Sequence, residues 1–144
     1  MVDSDPLEFN IMTSQDLFNI HRELCADALY LMEKKNHDYA GKSGHEPFAN
    51  FTRAEAMGIT TTERGMMVRM LDKMSRLSSY MDSGDFKVQD EKLRDTIVDL
   101  INYSILLYSY LEEKNEKQYT IVELTKPQED PYDMYSKGGI VPND

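Results

Sequence analysis

The stretch TTTERGMMVRMLDKMSRLSSYM, residues 60–81, carries the clearest structural pattern in this sequence. Its apolar side chains recur at alternating spacings of three and four residues, at Met67, Met70, Met74, Leu77 and Met81. Side chains at that spacing lie along one side of an α-helix. The sequence therefore predicts a helix that begins at 60–62 and ends near Met81. We expect this methionine face to pack in a core or an oligomer contact rather than against a cofactor.

Two further helices are predicted before this one. Thr13 and Asp16 are typical of a helix N-terminus. A threonine cap accepts hydrogen bonds from backbone amides, and the helix dipole favours an acid in the first turn. The helix that follows is expected to run to about Lys35. Its predicted buried face consists of Leu17, Ile20, Leu24, Ala28 and Leu31. Residues 36–44 mix turn formers with two glycines and predict a loop, after which a short helix over 47–58 is opened by its proline and ended by its glycine.

A fourth helix of about 25 residues is predicted to begin at Asp90. Its apolar stripe consists of Leu93, Ile97, Leu100, Ser104, Leu107 and Leu111. From about Leu100 onward it is apolar nearly all round, which is typical of a central helix or of one shared with a second subunit. Residues 119–124 predict a short strand or an extended arm. The sequence thus predicts an all-α bundle with an irregular C-terminal extension at 119–144, which either lies across a neighbouring subunit or is mobile.

Composition narrows the classes of protein and partner. The chain has 144 residues, with 16 Lys and Arg against 26 Asp and Glu, and a formal net charge of −10. Nucleic-acid binding depends on Lys and Arg, so no nucleic-acid polymer is expected as a partner. The single cysteine is compatible with a reducing cytosol. The sequence has no charged secretory start and no apolar run of about 20 residues, so we expect a cytoplasmic protein without a membrane span.

The acids of the fourth helix form the most informative candidate site. Glu91, Asp95 and Asp99 are four residues apart, which places them on one helix face together with Asn102. Asp99 lies where the helix becomes apolar on all sides, so a buried carboxylate there needs a partner. One candidate partner is a cation such as Mg²⁺ or Mn²⁺, because oxygen ligands are more typical of these ions than of zinc. The other candidate is the nearby Arg94. The alternative, a solvated acidic face, is preferred for Glu91 alone and stays open for the two aspartates.

A basic cluster on the third helix lies away from the methionine face. Arg69, Asp72, Lys73 and Arg76 fall within an arc of about 100°. Two arginines and a lysine can bind phosphate oxygens, although an ordinary exposed pair between Asp72 and Arg76 is the alternative. Acids that hold a metal next to cations that hold phosphates are what a metal–phosphate site requires.

The loop predicted after the first helix adds amide, acidic and aromatic side chains. Such residues often contact a ligand, because amides read base edges and aromatic rings stack on bases. The alternative is a structural turn. The candidates are Asn36, Asp38, Tyr39 and Asn50.

Three short blocks together resemble a known family. They are KNHDY at 35–39 with NF at 50–51, RMLDKMSRL at 69–77 and EKLRDTIVDLINY at 91–103. In order and spacing they look like a nucleotide-modification-associated family of phages and bacteria. That family itself resembles the all-α nucleoside triphosphate pyrophosphohydrolases, which include MazG-like proteins and dimeric dUTPases. The likeness covers about residues 13–115.

The resemblance implies an antiparallel four-helix-type nucleotide-binding domain at 1–118 that forms a homo-oligomer, a dimer or a tetramer. It also implies a Mg²⁺-dependent (or Mn²⁺-dependent) enzyme that converts a (deoxy)nucleoside triphosphate to monophosphate and pyrophosphate. The implied metal ligands are Asp95, Asp99, Glu91 and Asp72, of which the three aspartates are the catalytic candidates. The implied substrate-binding residues are Arg69, Lys73, Arg76, Asn36, Asp38, Tyr39, Asn50 and Asn102.

This chain departs from the motifs of the better-known members, Glu-x-x-Glu on one metal-binding helix and Glu-x-x-Asp on the other. Asp72 and Lys73 stand where the first glutamate would be, and Arg76 stands where the second would be. Asp95 and Asp99 are four residues apart rather than three. These replacements motivate a second hypothesis, a protein of the same fold that binds or sequesters a nucleotide without cleaving it. A third hypothesis is a helical interaction module whose methionine face binds a partner helix.

Overall fold

A computed structural model describes residues 10–39, 46–83 and 90–127, without the side chains of residues 38, 39 and 90–92. These described ranges contain four α-helices and no strand, so the predicted all-α class is confirmed. The helices are α1 (Ser14–Tyr39), α2 (Ala49–Ala56), α3 (Thr62–Ser83) and α4 (Asp90–Thr125). None of them is long and apolar enough to cross a membrane.

The chain divides into two compact units, Met1–Leu111 and Glu112–Asp144. The boundary lies inside α4, between residues 111 and 112, whereas the sequence placed it between 118 and 119. The candidate site and all the contacts between helices described below belong to the first unit.

Helix α1 begins as predicted and ends later than predicted. Thr13 and Asp16 form a reciprocal capping box, in which the Thr13 N–H donates to Asp16 Oδ2 at 2.9 Å and the Asp16 N–H donates to Thr13 Oγ1 at 3.2 Å. These hydrogen bonds with Thr13 hold the pKa of Asp16 below its ordinary value. The helix continues to Tyr39, so the loop predicted from residue 36 is wrong at its start. No glycine or proline stands between 36 and 39 to end the helix.

The turn from α2 into α3 is built around Gly58. This residue has a φ of +71°, its N–H donates to the Glu55 carbonyl at 2.9 Å, and the Ile59 N–H donates to the Ala54 carbonyl at 3.0 Å. The pair of bonds is a Schellman motif, which confirms Gly58 as the predicted helix stop. The predicted start is two residues early, because Pro47 lies in the turn before α2.

The side chain of Glu55 fixes the start of α3. Its Oε2 accepts hydrogen bonds from the Thr62 N–H at 3.0 Å and from the Thr62 hydroxyl. The Tyr110 hydroxyl of α4 lies 3.5 Å from the same oxygen. A carboxylate at a helix N-terminus is favoured by the helix dipole. One side chain thus joins α2, α3 and α4.

The methionine face, for which the sequence predicts either core or oligomer packing, is only partly buried. Met67, Met74 and Met81 are 53%, 54% and 70% exposed, and only Met70 and Leu77 of that face are half-buried. The buried side of α3 lies about one residue around the helix from the methionine face. It includes Thr62, Met66 and Tyr80. The buried residues of the described chain are Ala28, Thr62, Met66, Tyr80, Thr96, Val98 and Asn102. An oligomer contact through the exposed methionines stays a prediction.

Helix α4 contacts each of the other three helices within the first unit. The Asn102 amide donates to the Ala28 carbonyl of α1 at 2.9 Å. Tyr103 meets Phe51 of α2 edge-on, with ring centroids 6.1 Å apart. Asp99 reaches α3, as described below.

The end of α4 corrects a second prediction. The helix has 36 residues and runs to Thr125, so the strand or extended arm predicted at 119–124 is wrong. The hydroxyls of Thr120 and Thr125 donate to carbonyl oxygens four residues earlier, and Lys117 pairs with Glu113 one turn before it. These local hydrogen bonds are compatible with β-branched residues in a helix. Such residues favour a strand where a partner strand is present, and the described residues contain none. The predicted tail beyond Pro127 lies outside the described residues.

We expect Asn102→Ala to lower the free energy of unfolding by about 1–3 kcal/mol, because it removes a buried hydrogen bond between α4 and α1. Ser104→Ala, at an exposed position of the same helix, should change it by no more than about 0.5 kcal/mol. Urea denaturation monitored by circular dichroism measures both values. An Asn102→Ala variant as stable as the wild type would contradict this account of the helix contact.

Replacing each of two glycines by alanine should change the stability of the fold in opposite directions. Gly58→Ala places a Cβ on a backbone with φ of +71° and should destabilise the fold by about 1 kcal/mol. Gly65→Ala, inside α3, would bring its Cβ no nearer than 3.8 Å to Thr60, so it should stabilise the helix by about 0.5–1 kcal/mol. The midpoints of thermal unfolding should therefore move in opposite directions, and a shift of both in the same direction would refute the explanation.

Candidate functional site

Asp99 bridges three helices at the centre of the candidate site. Its Oδ2 lies 2.6 Å from Nζ of Lys73 on α3, and its Oδ1 lies 3.4 Å from Nζ of Lys35 on α1. The side chains of Asp99 and Lys73 are 19% and 14% exposed, whereas Lys35 is half exposed. We call these three residues the Asp99 cluster. The expectation that Asp99 needs a partner is confirmed, but Arg94 is not that partner, since it pairs with Asp27 at 2.6 Å.

The two lysines set the protonation of Asp99. Burial on its own raises the pKa of this carboxyl group. The hydrogen bond from Lys73 and the charges of Lys35 and Lys73 act in the opposite direction and outweigh burial, so the pKa of Asp99 lies below its ordinary value. Asp99 is therefore an ionised carboxylate at neutral pH.

A cleft of about 550 Å³ opens between α3 and α4. Its polar lining consists of Arg76, Asp95, Asp99, Thr96, Tyr80 and three serines, Ser75, Ser79 and Ser83. Pockets for small molecules usually measure about 300–1,000 Å³. The α3–α4 cleft is therefore large enough for a small molecule, and it presents both a guanidinium group and carboxylates.

The structure brings part of the predicted site together. Arg76, Asp95 and Asp99 line the α3–α4 cleft, and Lys73 is bonded to Asp99. Arg69 and Asp72 are exposed on α3 and do not line this cleft.

The other predicted contacts are dispersed. Asn36 is exposed in the last turns of α1, and Asn50 is exposed on α2. Asn102 is buried, and its amide is bonded to the α1 backbone, which makes it a packing residue. The side chains of Asp38, Tyr39 and Glu91 lie outside the described residues.

Sequence reasoning missed Lys35 and the serines of the cleft. Lys35 was predicted to end α1, and only its pairing with Asp99, 64 positions later in the chain, gives it a place in the site. Ser75, Ser79 and Ser83 recur every four residues, so they form a polar stripe on α3 that could have been found from spacing alone.

The described side chains do not form a metal-binding cage. Among them, no group of three or more His, Cys, Asp or Glu residues is placed to hold a metal ion. Each oxygen of Asp99 already faces a lysine ammonium group, so a divalent ion bound there would lie beside two positive charges. Asp99 therefore does not fit the role of a metal ligand in this arrangement. Asp95 is the exposed carboxylate of the cleft.

Comparisons of this chain with protein-family models, with curated proteins and with solved structures find no match. The chemistry of the α3–α4 cleft is therefore the basis on which a function can be proposed.

The lowered pKa of Asp99 gives its ion pairs a defined pH dependence. A carboxyl group whose pKa is lower in the folded state than in the unfolded chain stabilises the fold above its unfolded value of about 3.9. That stabilisation is lost as the pH falls through the folded value.

We expect Asp99→Asn to be less stable than the wild type at neutral pH, and the difference to shrink as the pH falls below about 4. In acid the protonated Asp99 and the asparagine carry the same charge. Chemical denaturation of both proteins at several pH values measures the difference. A difference that is the same at neutral and acidic pH would show that the lysine pairs do not stabilise the fold.

Proposed function

We propose that this protein binds a (deoxy)nucleoside triphosphate with its phosphates in the α3–α4 cleft, and that it converts the nucleotide to its monophosphate and pyrophosphate with the help of Mg²⁺. One observation carries the proposal: Arg76, Asp95 and Asp99 line a single cleft, with the Lys73 ammonium group bonded to Asp99. The nucleotide and the reaction come from the resemblance of the sequence blocks.

The positive charges in and beside the α3–α4 cleft favour a phosphate as its ligand. The whole chain carries a net charge of −10, yet Arg76, Lys73 and Lys35 lie in or beside the cleft with two carboxylates. A guanidinium group can bind two phosphate oxygens at once, and an ammonium group adds a compact positive charge. In phosphoryl transfer such cations offset the charge of the phosphates. We assign that role to Arg76 and Lys73.

Magnesium fits this proposal only as part of a metal–nucleotide complex. In proteins Mg²⁺ is commonly bound by one or two carboxylates together with substrate phosphates, rather than by a complete protein cage. Asp95 would be the residue of the cleft that holds it. When bound, Mg²⁺ offsets phosphate charge and lowers the pKa of a bound water molecule.

We further propose that the protein is a cytoplasmic homo-oligomer, a dimer or a tetramer. The exposed side chains of Met67, Met74 and Met81 supply an apolar surface that a second copy could cover. No nucleic-acid polymer is proposed as a partner, because the net charge of −10 opposes binding to a phosphate backbone.

The pairing of Asp99 favours a second candidate function, the binding of a nucleotide without cleavage. Both oxygens of this carboxylate face lysines, which leaves Asp95 as the carboxylate of the cleft that is available to a metal ion. A protein that sequesters or senses a nucleotide needs the cations of the cleft and does not need a catalytic metal.

The direct test is to incubate the purified protein with each dNTP and NTP, with Mg²⁺ or with EDTA, and to separate the products by chromatography. Monophosphate and pyrophosphate that appear only with metal would establish the enzyme and identify its substrate. Intact nucleotides that bind in a calorimeter would establish the second candidate. If no nucleotide binds at all, both candidates are wrong, and a helical interaction module becomes the better explanation.

Two arginines of α3 provide a matched pair for locating the site. Arg76→Met should weaken nucleotide binding about tenfold to a hundredfold, since it removes a charged hydrogen-bond donor from the cleft. Arg69→Met should change the affinity by less than about threefold, because Arg69 is exposed outside the cleft. Isothermal titration calorimetry compares the two variants. The reverse order would place the nucleotide elsewhere on α3.

A further inference from the structure

We infer that Asp99 is a positioning residue that holds the Lys73 ammonium group beside the α3–α4 cleft for a phosphate, and that it is not a metal ligand. The inference rests on the proposed function in one respect only, namely that a phosphate-bearing ligand enters this cleft. It departs from the role that the sequence resemblance implies for Asp99.

Both carboxylate oxygens of Asp99 already face ammonium groups. Oδ2 of Asp99 lies 2.6 Å from the Lys73 nitrogen, and Oδ1 lies 3.4 Å from the Lys35 nitrogen. A Mg²⁺ ligand oxygen must approach the ion to about 2.0–2.1 Å. An ion at that distance would lie next to two ammonium groups that already share the single negative charge. The lysines and the metal ion therefore compete for the same oxygens.

Lys73 is mostly buried. Its side chain is 14% exposed, so removal of Asp99 would leave a mostly buried ammonium group without its principal counter-charge. Lys35 is half exposed and can turn to water. Asp99 therefore determines the position of Lys73 much more than that of Lys35.

The ammonium group of Lys73 has more hydrogen-bond donors than its bond to Asp99 requires. An ammonium group has three N–H donors, and the bond to Asp99 uses one of them. Lys73 precedes Arg76 by three residues on α3, so the two cations lie on neighbouring turns of the same side of the helix. A lysine fixed by Asp99 can thus present its remaining donors to a phosphate that Arg76 also binds.

Asp95 is more exposed than Asp99. This residue precedes Asp99 by one turn of α4, is exposed, and lines the same cleft. A metal ion that enters with a phosphate can reach Asp95 without displacing a lysine. The two aspartates of α4 therefore have different roles, although their spacing makes them look like one pair.

The test uses the full-length protein, inorganic pyrophosphate and Mn²⁺, whose binding is read from its electron paramagnetic resonance signal. With pyrophosphate present, Asp95→Asn should weaken Mn²⁺ binding at least about tenfold, as expected for the loss of a ligand. When pyrophosphate is present at a concentration that saturates each variant, Asp99→Asn should leave Mn²⁺ affinity within about threefold of the wild type. A loss of Mn²⁺ affinity in Asp99→Asn as large as that in Asp95→Asn overturns the inference.

A second readout separates positioning from general damage. In EDTA, Asp99→Asn and Lys73→Met should each weaken pyrophosphate binding about tenfold, because both remove a correctly placed ammonium group. Combined in one chain, the two substitutions should cost little more than Lys73→Met alone, since Asp99 acts through Lys73. Full additivity of the two losses overturns the positioning role.

If Asp99→Asn does not fold, the variant that carries both substitutions takes its place in the test. Removing both charges leaves neither of them buried alone. This variant must then keep Mn²⁺ affinity within about threefold of Lys73→Met for the inference to stand. A wild-type protein that binds neither pyrophosphate nor nucleotides would overturn the proposed function together with the inference. A wild-type protein that binds them, with an Asp99→Asn variant that loses the metal, would overturn the inference alone.

Discussion

The ion cluster of Asp99, Lys73 and Lys35 is the constraint on which the rest of the candidate site depends. It joins α1, α3 and α4 through one carboxylate, at distances of 2.6 Å and 3.4 Å. Two of its three side chains are mostly buried, so neither charge can be removed alone without cost. The cluster fixes how α3 and α4 face each other beside the cleft that both helices line. A second carboxylate, Glu55, joins α2 to the start of α3 and approaches α4, so the first unit depends on acids that bridge helices as well as on its few buried apolar side chains.

This arrangement gives a locally cationic region to an acidic chain. Arg76 lies in the cleft and Lys73 lies beside it, and the pKa of Asp99 is lowered by the same lysines that it holds. An ionised carboxylate that is neutralised by two ammonium groups does not attract a further cation, whereas the exposed Asp95 can still do so. The two aspartates therefore have different roles in the proposed function. Asp99 positions the Lys73 ammonium group, and Asp95 binds a metal ion that accompanies the phosphates.

Local signals in the sequence predicted the structure well where the responsible contacts are local. The helix start at Thr13 and Asp16 and the helix stop at Gly58 depend on neighbours within a few residues, and both are present as predicted. Three of the five residues of the methionine face are exposed, because spacing gives the width of an apolar face but not which edge of it is buried. The inward side of α3 includes Thr62 and Lys73, which are bonded to Glu55 of α2 and Asp99 of α4. The strand predicted at 119–124 failed because β-branched residues form a strand only beside another strand.

The candidate site shows the same limit. The sequence placed Asp95 and Asp99 on one face and Lys73 near Arg76, and these residues do meet at the α3–α4 cleft or beside it. It could not show that Lys35 and Lys73 occupy both oxygens of Asp99, since that depends on where three helices cross.

The most direct test of the central claim is a crystal structure of the protein with Mg²⁺ and a non-hydrolysable triphosphate analogue. The account predicts phosphate oxygens bonded to Arg76 and Lys73, with Asp99 still bonded to both lysines and outside the coordination shell of the metal. Triphosphate bound away from the α3–α4 cleft, or Asp99 coordinated to the metal ion with its lysines displaced, would contradict it.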